Sequence, residues 1–477
     1  MLRPGHMVAL SALALLTLGV VMVNSALMSV GTPGITPASV LASAPTVHMF
    51  MAMAAMGLAA WLSPRLLLRP LLALEWRQRG LPLPAAAHRG HARNGWGLLS
   101  LWVALGAVLG ALAVVYIPGL GREVNGSARW IKLPLPGPLG VTAQPSEVAK
   151  WAMVPIVAAY AAAMGPAIRR PLSGLLPILA AVGLVCGVIV LEDLGTAVLI
   201  AGVAGFVLLA AGARWWHFAI ASVPGLLGVV AAVIQNPYRL GRITTWLDPY
   251  QDPDGDGYHI IQSLVAVSHG GLSGRGLGHG LQKFAYLPED DTDFLFAIIA
   301  EELGLAGALV VGSLYLAMLA AGSLIVRSQP SRALGLLGLG VMATVAFQAL
   351  INMGVVTGLL PTKGIALPLL SSGGTGWILT AAMLGVLIAT AGAPARAGVP
   401  RPRGPAPFTP TPTPAAPPPT SENPSPNAGA IARANAGPAP HAVALPPQPL
   451  PEPKLAPTAA DLSARGTLWS LAPEPRA

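Results

Sequence analysis

The sequence predicts an all-α integral membrane protein of about ten transmembrane helices, with a large loop between the seventh and eighth. Three observations carry that expectation. Of 477 residues, 54% are hydrophobic and 10% charged, far below the roughly 25% charge of soluble proteins. Apolar runs of about 18 residues or more recur, each long enough to cross a hydrocarbon core about 30 Å thick as a helix. Aromatic residues make up 5% of the chain and no ten-residue alternation appears, which argues against a barrel.

In order, Leu2-Arg3-Pro4 leads into an apolar run from about Met7 to Met28, longer than the apolar part of a signal peptide and read as a retained first helix. A charge-free loop, Gly31 to Pro45, precedes a second span from about Val47 to Trp61. Arg65, Arg69, Arg77, Arg79, Arg89 and Arg93 then mark a cytoplasmic loop. The third span covers about Trp96 to Ile117, and a polar loop holding Asn125 to Trp130 separates it from the fourth, about Ser146 to Met164. Arg169 and Arg170 precede a fifth span ending near Val190, and Glu192-Asp193 divide it from a sixth, about Gly195 to Ala211.

After Arg214, a seventh span from about Trp216 to Gln235 opens onto the loop Asn236 to Thr292. The eighth runs from Asp293 to about Ile325, the ninth from about Leu334 to Leu359 and the tenth from about Leu367 to Ala391. Residues 1–392 thus form the membrane domain. The remainder, 393–477, is rich in Pro, Ala and Thr, with too few large apolar residues to bury a core, and is expected to be a disordered cytoplasmic tail.

If both termini are cytoplasmic, every Arg-rich loop falls inside, and the loop 236–292 falls outside together with Asp293, Asn125 to Lys132 and Lys363. The net charge of +9 is then a topology signal rather than a mark of nucleic-acid binding. Cys186, the single cysteine, excludes an intramolecular disulfide and a cysteine metal site.

Ionisable groups inside spans are expensive and usually face a cavity, a partner or a substrate. Glu147 and Lys150 stand three apart on one helix face, close enough to pair. A neutralised structural pair and a polar wall lining an outward cleft are equally compatible with their position. Glu301 and Glu302 lie deeper in the eighth span, where buried carboxylates with a basic or hydroxyl partner are expected to serve structure. In the loop, Asp252 to Gly257 copies the first half of a calcium loop, but Ser263 stands where the bidentate Glu belongs. The glycines from Gly270 to Gly278 lack the Gly-Lys-Ser/Thr ending of a phosphate loop.

Several pieces in fixed order carry a family resemblance: Asn125-Gly126 with Arg129-Trp130, Gln144-Pro145-Ser146-Glu147 with Lys150, and Asp193-Leu194-Gly195-Thr196. They continue with Trp246-Leu247-Asp248-Pro249, Tyr286-Leu287-Pro288-Glu289 with Thr292-Asp293-Phe294, and Ala300-Glu301-Glu302-Leu303-Gly304. Leu360-Pro361-Thr362-Lys363-Gly364 and Leu367-Pro368-Leu369-Leu370-Ser371 with Gly373-Gly374 complete the set. Over about residues 95 to 391 the chain resembles the SEDS family (shape, elongation, division and sporulation; FtsW, RodA and SpoVE), and is closer to the FtsW branch.

The resemblance implies a peptidoglycan glycosyltransferase polymerising lipid II on the outer face of the bacterial cytoplasmic membrane. It makes Asp293 the general base that takes the proton of an attacking sugar hydroxyl. Glu147 and Lys150 match a family pair lining the cavity. Arg129, Arg239, Arg242, Arg275, Lys283 and Lys363 are candidates to compensate the leaving pyrophosphate, and Ser371 belongs to a matching motif beside them. A divalent cation, Mg²⁺ or Mn²⁺, is another source of that compensation. The resemblance also implies a class B penicillin-binding protein and other division or elongation proteins as partners. A lipid II transporter and an inactive division scaffold are the competing readings.

Three departures stand out against the family pattern. Asp291 replaces a His, Leu191-Glu192 replaces Gln-Pro, and Ser372 replaces a Tyr. The neighbouring carboxylates Asp291 and Asp293 are expected to repel and raise a pKa.

Overall fold

The computed structural model describes residues 3–28, 36–63, 67, 71, 75, 96–117, 121–124, 127–132, 142–235, 237–255, 257–284 and 286–396. The chain divides into two units, Met1–Ala406 and Pro407–Ala477, and everything described belongs to the first. The expected tail lies outside the described residues. So do the Arg-rich stretch around Arg65 to Arg93 and the Asn125-Gly126 pair.

Helices dominate, as the composition requires. They are α1 (Pro4–Ala26), α2 (Pro37–Leu41), α3 (Ala44–Ser63), α4 (Trp96–Ala113), α5 (Pro145–Met164), α6 (Leu176–Val190) and α7 (Leu194–Ala210). Then come α8 (Trp215–Ile234), α9 (Pro237–Leu247), α10 (Tyr258–Gly270), α11 (Leu295–Arg327), α12 (Arg332–Val356) and α13 (Gly374–Arg396). Among the described residues eight helical segments are long and apolar enough to cross a membrane, and α7 and α8 are shorter apolar helices. Their positions follow the sequence-predicted spans to within a few residues, except at the last one.

Two segments expected to be plain loops carry regular structure. Between α4 and α5, strands β1 (Gly121–Val124), β2 (Ser127–Lys132) and β3 (Thr142–Ala143) form an antiparallel sheet in the order β1-β2-β3. The predicted loop 236–292 contains α9 and α10. The first is amphipathic, and the second packs mainly against α11 and reaches α12 through the Ser263 hydroxyl, which donates to the Val356 carbonyl at 2.8 Å.

Helix α11 is broken at Gly304, whose φ of 65° is left-handed and unfavourable for any residue with a Cβ. A break in a buried helix frees backbone groups that must find partners. The glycine-rich loop supplies them. Arg275 and Gly276 N–H donate to the Glu301 and Glu302 carbonyls, while Leu305 and Ala306 N–H donate to the Gly271 and Leu272 carbonyls. Gly274, with φ 76°, lies so close to the Glu302 backbone that a Cβ would collide with it.

The same loop is held by the two glutamates themselves. Glu301 accepts from the N–H groups of Leu281 and Gln282, and Glu302 from those of Gly278 and Gly280. Glu302 also accepts from Ser25 Oγ on α1 and pairs with Lys283 Nζ at 2.8 Å, both charged side chains being fully buried. The expected basic or hydroxyl partner is present: Lys283 and Ser25 for Glu302, and Arg275, at 3.8 Å, for Glu301.

The last span begins later than predicted, at Gly374 rather than Leu367. Pro368 has no N–H to donate to a helix, and Leu369 sits at φ 63°. Residues 357–373 are therefore mostly irregular, yet Leu367, Leu369, Leu370 and Ser371 are each no more than 1% exposed. This buried segment is called the clip below.

Removing one partner of a buried ion pair costs about 3–5 kcal/mol. Glu302→Gln should approach that range because it weakens the acceptor for Lys283, Ser25 and two N–H groups at once. Lys283→Met, which leaves the carboxylate three neutral donors, should lower the thermal midpoint less. Equal shifts in melting experiments on the two purified variants would contradict this hierarchy.

Candidate active site

Side chains donate hydrogen bonds to several of the clip's carbonyls. Gln348 and Asn352, one turn apart on α12 and both buried, point polar groups at it. Gln348 Nε2 donates to the Ala366 carbonyl at 2.7 Å, and Asn352 Nδ2 to the Ile365 carbonyl at 2.8 Å. On α11 the Tyr315 hydroxyl donates to the Pro368 carbonyl, and Trp377 Nε1 donates to the Ser371 carbonyl at 2.6 Å. Within the clip, the Leu367 N–H donates to Ser371 Oγ at 2.9 Å. Buried backbone must be paired somewhere, and here side chains replace a ladder.

This arrangement joins the two predicted parts of the site. Lys150, 3% exposed, donates to both Glu147 carboxylate oxygens at 2.7 Å and to Gln348 Oε1 at 2.9 Å. Asp293 lies at the other end, where its carbonyl accepts from Asn352 Nδ2 at 2.7 Å. Its Oδ2 faces the clip so closely that a Cβ on Gly364 would stand 3.1 Å away. A polar path therefore runs from Glu147 and Lys150 through Gln348, the 365–366 backbone and Asn352 to Asp293.

The remaining candidates are placed differently. Lys363 is half-buried on the clip, next to Gly364, and Arg242 Nη1 donates to the Thr362 carbonyl at 3.4 Å. Lys283 is enclosed and its charge goes to Glu302, so the structure commits it to the fold. Ser371 is likewise occupied, within the clip's own turn. Arg275 approaches Glu301 at 3.8 Å. Arg129 lies on β2 and Arg239 on α9, but their side chains are outside the described residues. Gln348 and Asn352 are additions that sequence reading passed over; their signal was two amides four residues apart in an apolar span.

The acidic approach to Asp293 folds as a tight turn. Glu289 has φ 56°, and its carbonyl accepts the N–H of Phe294 while its carboxylate accepts from the Thr292 hydroxyl at 2.9 Å. The Ser372 N–H donates to the Asp291 carbonyl at 2.8 Å, and the Ser372 side chain also bonds the Asp291 carboxylate. Two of the departures from the family pattern thus touch each other. Burial first, then repulsion from Asp291 and, less, from Glu289, pushes the Asp290 carboxyl up to about 7. Burial and the Glu289 charge also raise Asp291. Burial leads these shifts, and the charges that add to them are those of Glu289 and Asp291, not the Asp291–Asp293 pair expected from the sequence. Among the described residues no group of three or more His, Cys, Asp or Glu gathers as metal ligands.

With this geometry in place, comparison with known proteins is decisive. The family described as "Cell cycle protein" (FtsW, RodA, SpoVE) matches residues 94–393, more than half of the chain. The chain belongs to that family. This FtsW/RodA/SpoVE member is 41% identical over 278 residues to "Stage V sporulation protein E" of Bacillus subtilis, covering 58% of this chain and 75% of the relative. It is 41% identical over 317 residues to the "Probable peptidoglycan glycosyltransferase FtsW" of Thioalkalivibrio sulfidiphilus, covering 65% and 77%. The protein of the same name from Geobacter metallireducens is 33% identical over 382 residues, covering 80% of this family member and 92% of the relative.

A chain from the solved structure described as "Structural coordination of polymerization and crosslinking by a peptidoglycan synthase complex" superposes with a TM-score of 0.52 at 26% identity. That match covers 80% of this family member and 96% of the other chain. The protein is a multi-pass, mostly helical membrane protein of the SEDS type.

An acid whose pKa rises on folding holds its proton more tightly in the folded chain. Its contribution is therefore fully present below the unfolded value and is lost as pH climbs from 3.8 towards about 7. Asp290→Asn should raise the thermal midpoint relative to wild type at pH 8 and leave it unchanged at pH 3.5. A pH-independent difference in melting curves would contradict the assignment.

Proposed function

We propose that the chain polymerises lipid II into glycan strands, an inverting glycosyl transfer at the outer face of the bacterial cytoplasmic membrane. Two features support the assignment: relatives bearing the name peptidoglycan glycosyltransferase, and a polar path that links a lysine–glutamate pair to the main chain of Asp293. The observation that carries the mechanism is Asp293, half-buried and held by its backbone against the clip while its carboxylate faces Gly364.

In this reading the 4-hydroxyl of an acceptor sugar attacks the anomeric carbon of a donor. The new C–O bond forms as the bond to undecaprenyl pyrophosphate breaks, and that bond's electron pair leaves with the phosphate. Asp293 takes the hydroxyl proton, the role a positioned carboxylate plays in inverting glycosidases. Charge on the leaving group is met by basic side chains near the clip, Lys363 and Arg242 foremost, with Arg129 and Arg239 as further candidates. Lys283 and Ser371, occupied in the fold, are not assigned to substrate. Lys150, paired with Glu147, braces Gln348, which in turn holds the clip.

Both termini are taken as cytoplasmic, because that orientation puts the Arg-rich loops inside and Asp293 outside. A class B penicillin-binding protein is the proposed partner, which agrees with the likeness to a chain from a peptidoglycan synthase complex. It would supply the crosslinking that glycosyl transfer alone does not.

Asp293→Ala should slow polymerisation of purified lipid II by about 10²- to 10⁴-fold, the usual contribution of a general base, when assayed with the partner present. Unchanged polymer length and rate would overturn the assignment. Movement of lipid II across vesicles without polymer would favour a transporter, and neither activity in wild type would favour a scaffold.

A further inference from the structure

We propose that Asn352 is a positioning residue for the transfer reaction, fixing where Asp293 stands relative to the clip. The proposal rests on the reading of Asp293 as the base. Asn352 lies on α12, 2% exposed, one turn beyond Gln348. Its two N–H donors go to carbonyls of two different segments, Asp293 at 2.7 Å and Ile365 at 2.8 Å. The orientation of the amide follows from chemistry: reversing it would aim Oδ1 at two carbonyl oxygens. Among the described residues that Oδ1 has no hydrogen-bond partner, so the side chain accepts an unsatisfied buried atom in exchange for both donations.

One amide group therefore ties the last turn before α11 to the clip, and the tie is made beside the reacting carboxylate. Asp293 Oδ2 already faces Gly364, the residue before Ile365. A second tie, from Ser372 N–H to the Asp291 carbonyl, holds the turn two residues upstream. Asn352 acts on the main chain that carries the carboxylate, not on the carboxylate itself. Loss of its donors removes a hydrogen bond from each of two carbonyls and frees the segment to shift, and displacement of a catalytic group by about 1 Å costs up to about 100-fold in rate.

The test compares Asn352→Leu, which removes both donors at similar volume, with Asn352→Asp, which removes them only while ionised. Asp293→Asn runs in parallel. Full-length variants, with melting midpoints recorded, are assayed for lipid II polymerisation between about pH 5.5 and 8. Both Asn352 variants should be about 10- to 100-fold slower than wild type at neutral pH. On acidification Asn352→Asp should recover relative to wild type as its protonated carboxyl donates again to one carbonyl, and Asn352→Leu should not.

If Asp293→Asn is inactive while both Asn352 variants keep wild-type rates, the positioning role is overturned. It is also overturned if the ratio of Asp to Leu variant is the same at every pH, which would mark a merely structural residue. Should Asn352→Leu not fold, the pH dependence of Asn352→Asp against wild type decides alone: recovery supports the role and a flat ratio overturns it. If Asp293→Asn itself polymerises normally, the assignment of the base falls instead.

Discussion

The structure depends on pairing backbone that no helix pairs. At the clip, Pro368 and the left-handed Leu369 prevent a helix, yet the segment is buried. Unpaired carbonyls at that depth would each cost several kcal/mol. Gln348, Asn352, Tyr315 and Trp377 supply the missing donors. Because two of those donors also reach Lys150 and Asp293 through the same side chains, the solution to a folding problem assembles the candidate active site.

The break in α11 repeats the principle with the roles reversed. There the glycine-rich loop supplies N–H and C=O groups to a helix interrupted at Gly304, and Glu301 and Glu302 fasten the loop in return. The loop so anchored continues directly into the turn that carries Asp290, Asp291 and Asp293. Glu302, by binding Ser25 as well as Lys283, also ties α1 into the same arrangement. Two interrupted helical regions are thus each satisfied by residues of other elements.

Electrostatics follow from that enclosure. The turn preceding α11 is buried enough that a carboxyl there, Asp290, is lifted towards neutrality, and its neighbours add repulsion. The Asp291 and Ser372 pairing shows how a chain with a carboxylate in place of a His can still close the turn, since the serine hydroxyl bonds the carboxylate and the serine N–H donates to the Asp291 carbonyl. Lys150 shows the opposite case, a buried cation made tolerable by a carboxylate and an amide oxygen.

Hydropathy and charge by themselves determined the membrane class, the approximate spans and the pairing of Glu147 with Lys150, because those depend on local composition and helical spacing. Motif order also singled out Asp293. The strands after α4, the helices α9 and α10, and the late start of α13 were not legible, since none has a long apolar run. Nor could spacing show that Lys283 answers Glu302, or that Gln348 and Asn352 hold the clip. Those partners lie far apart in the chain, and only packing brings a buried amide to a carbonyl or a lysine to a glutamate. Tertiary structure therefore decided which charges are spent on the fold and which stand beside Asp293.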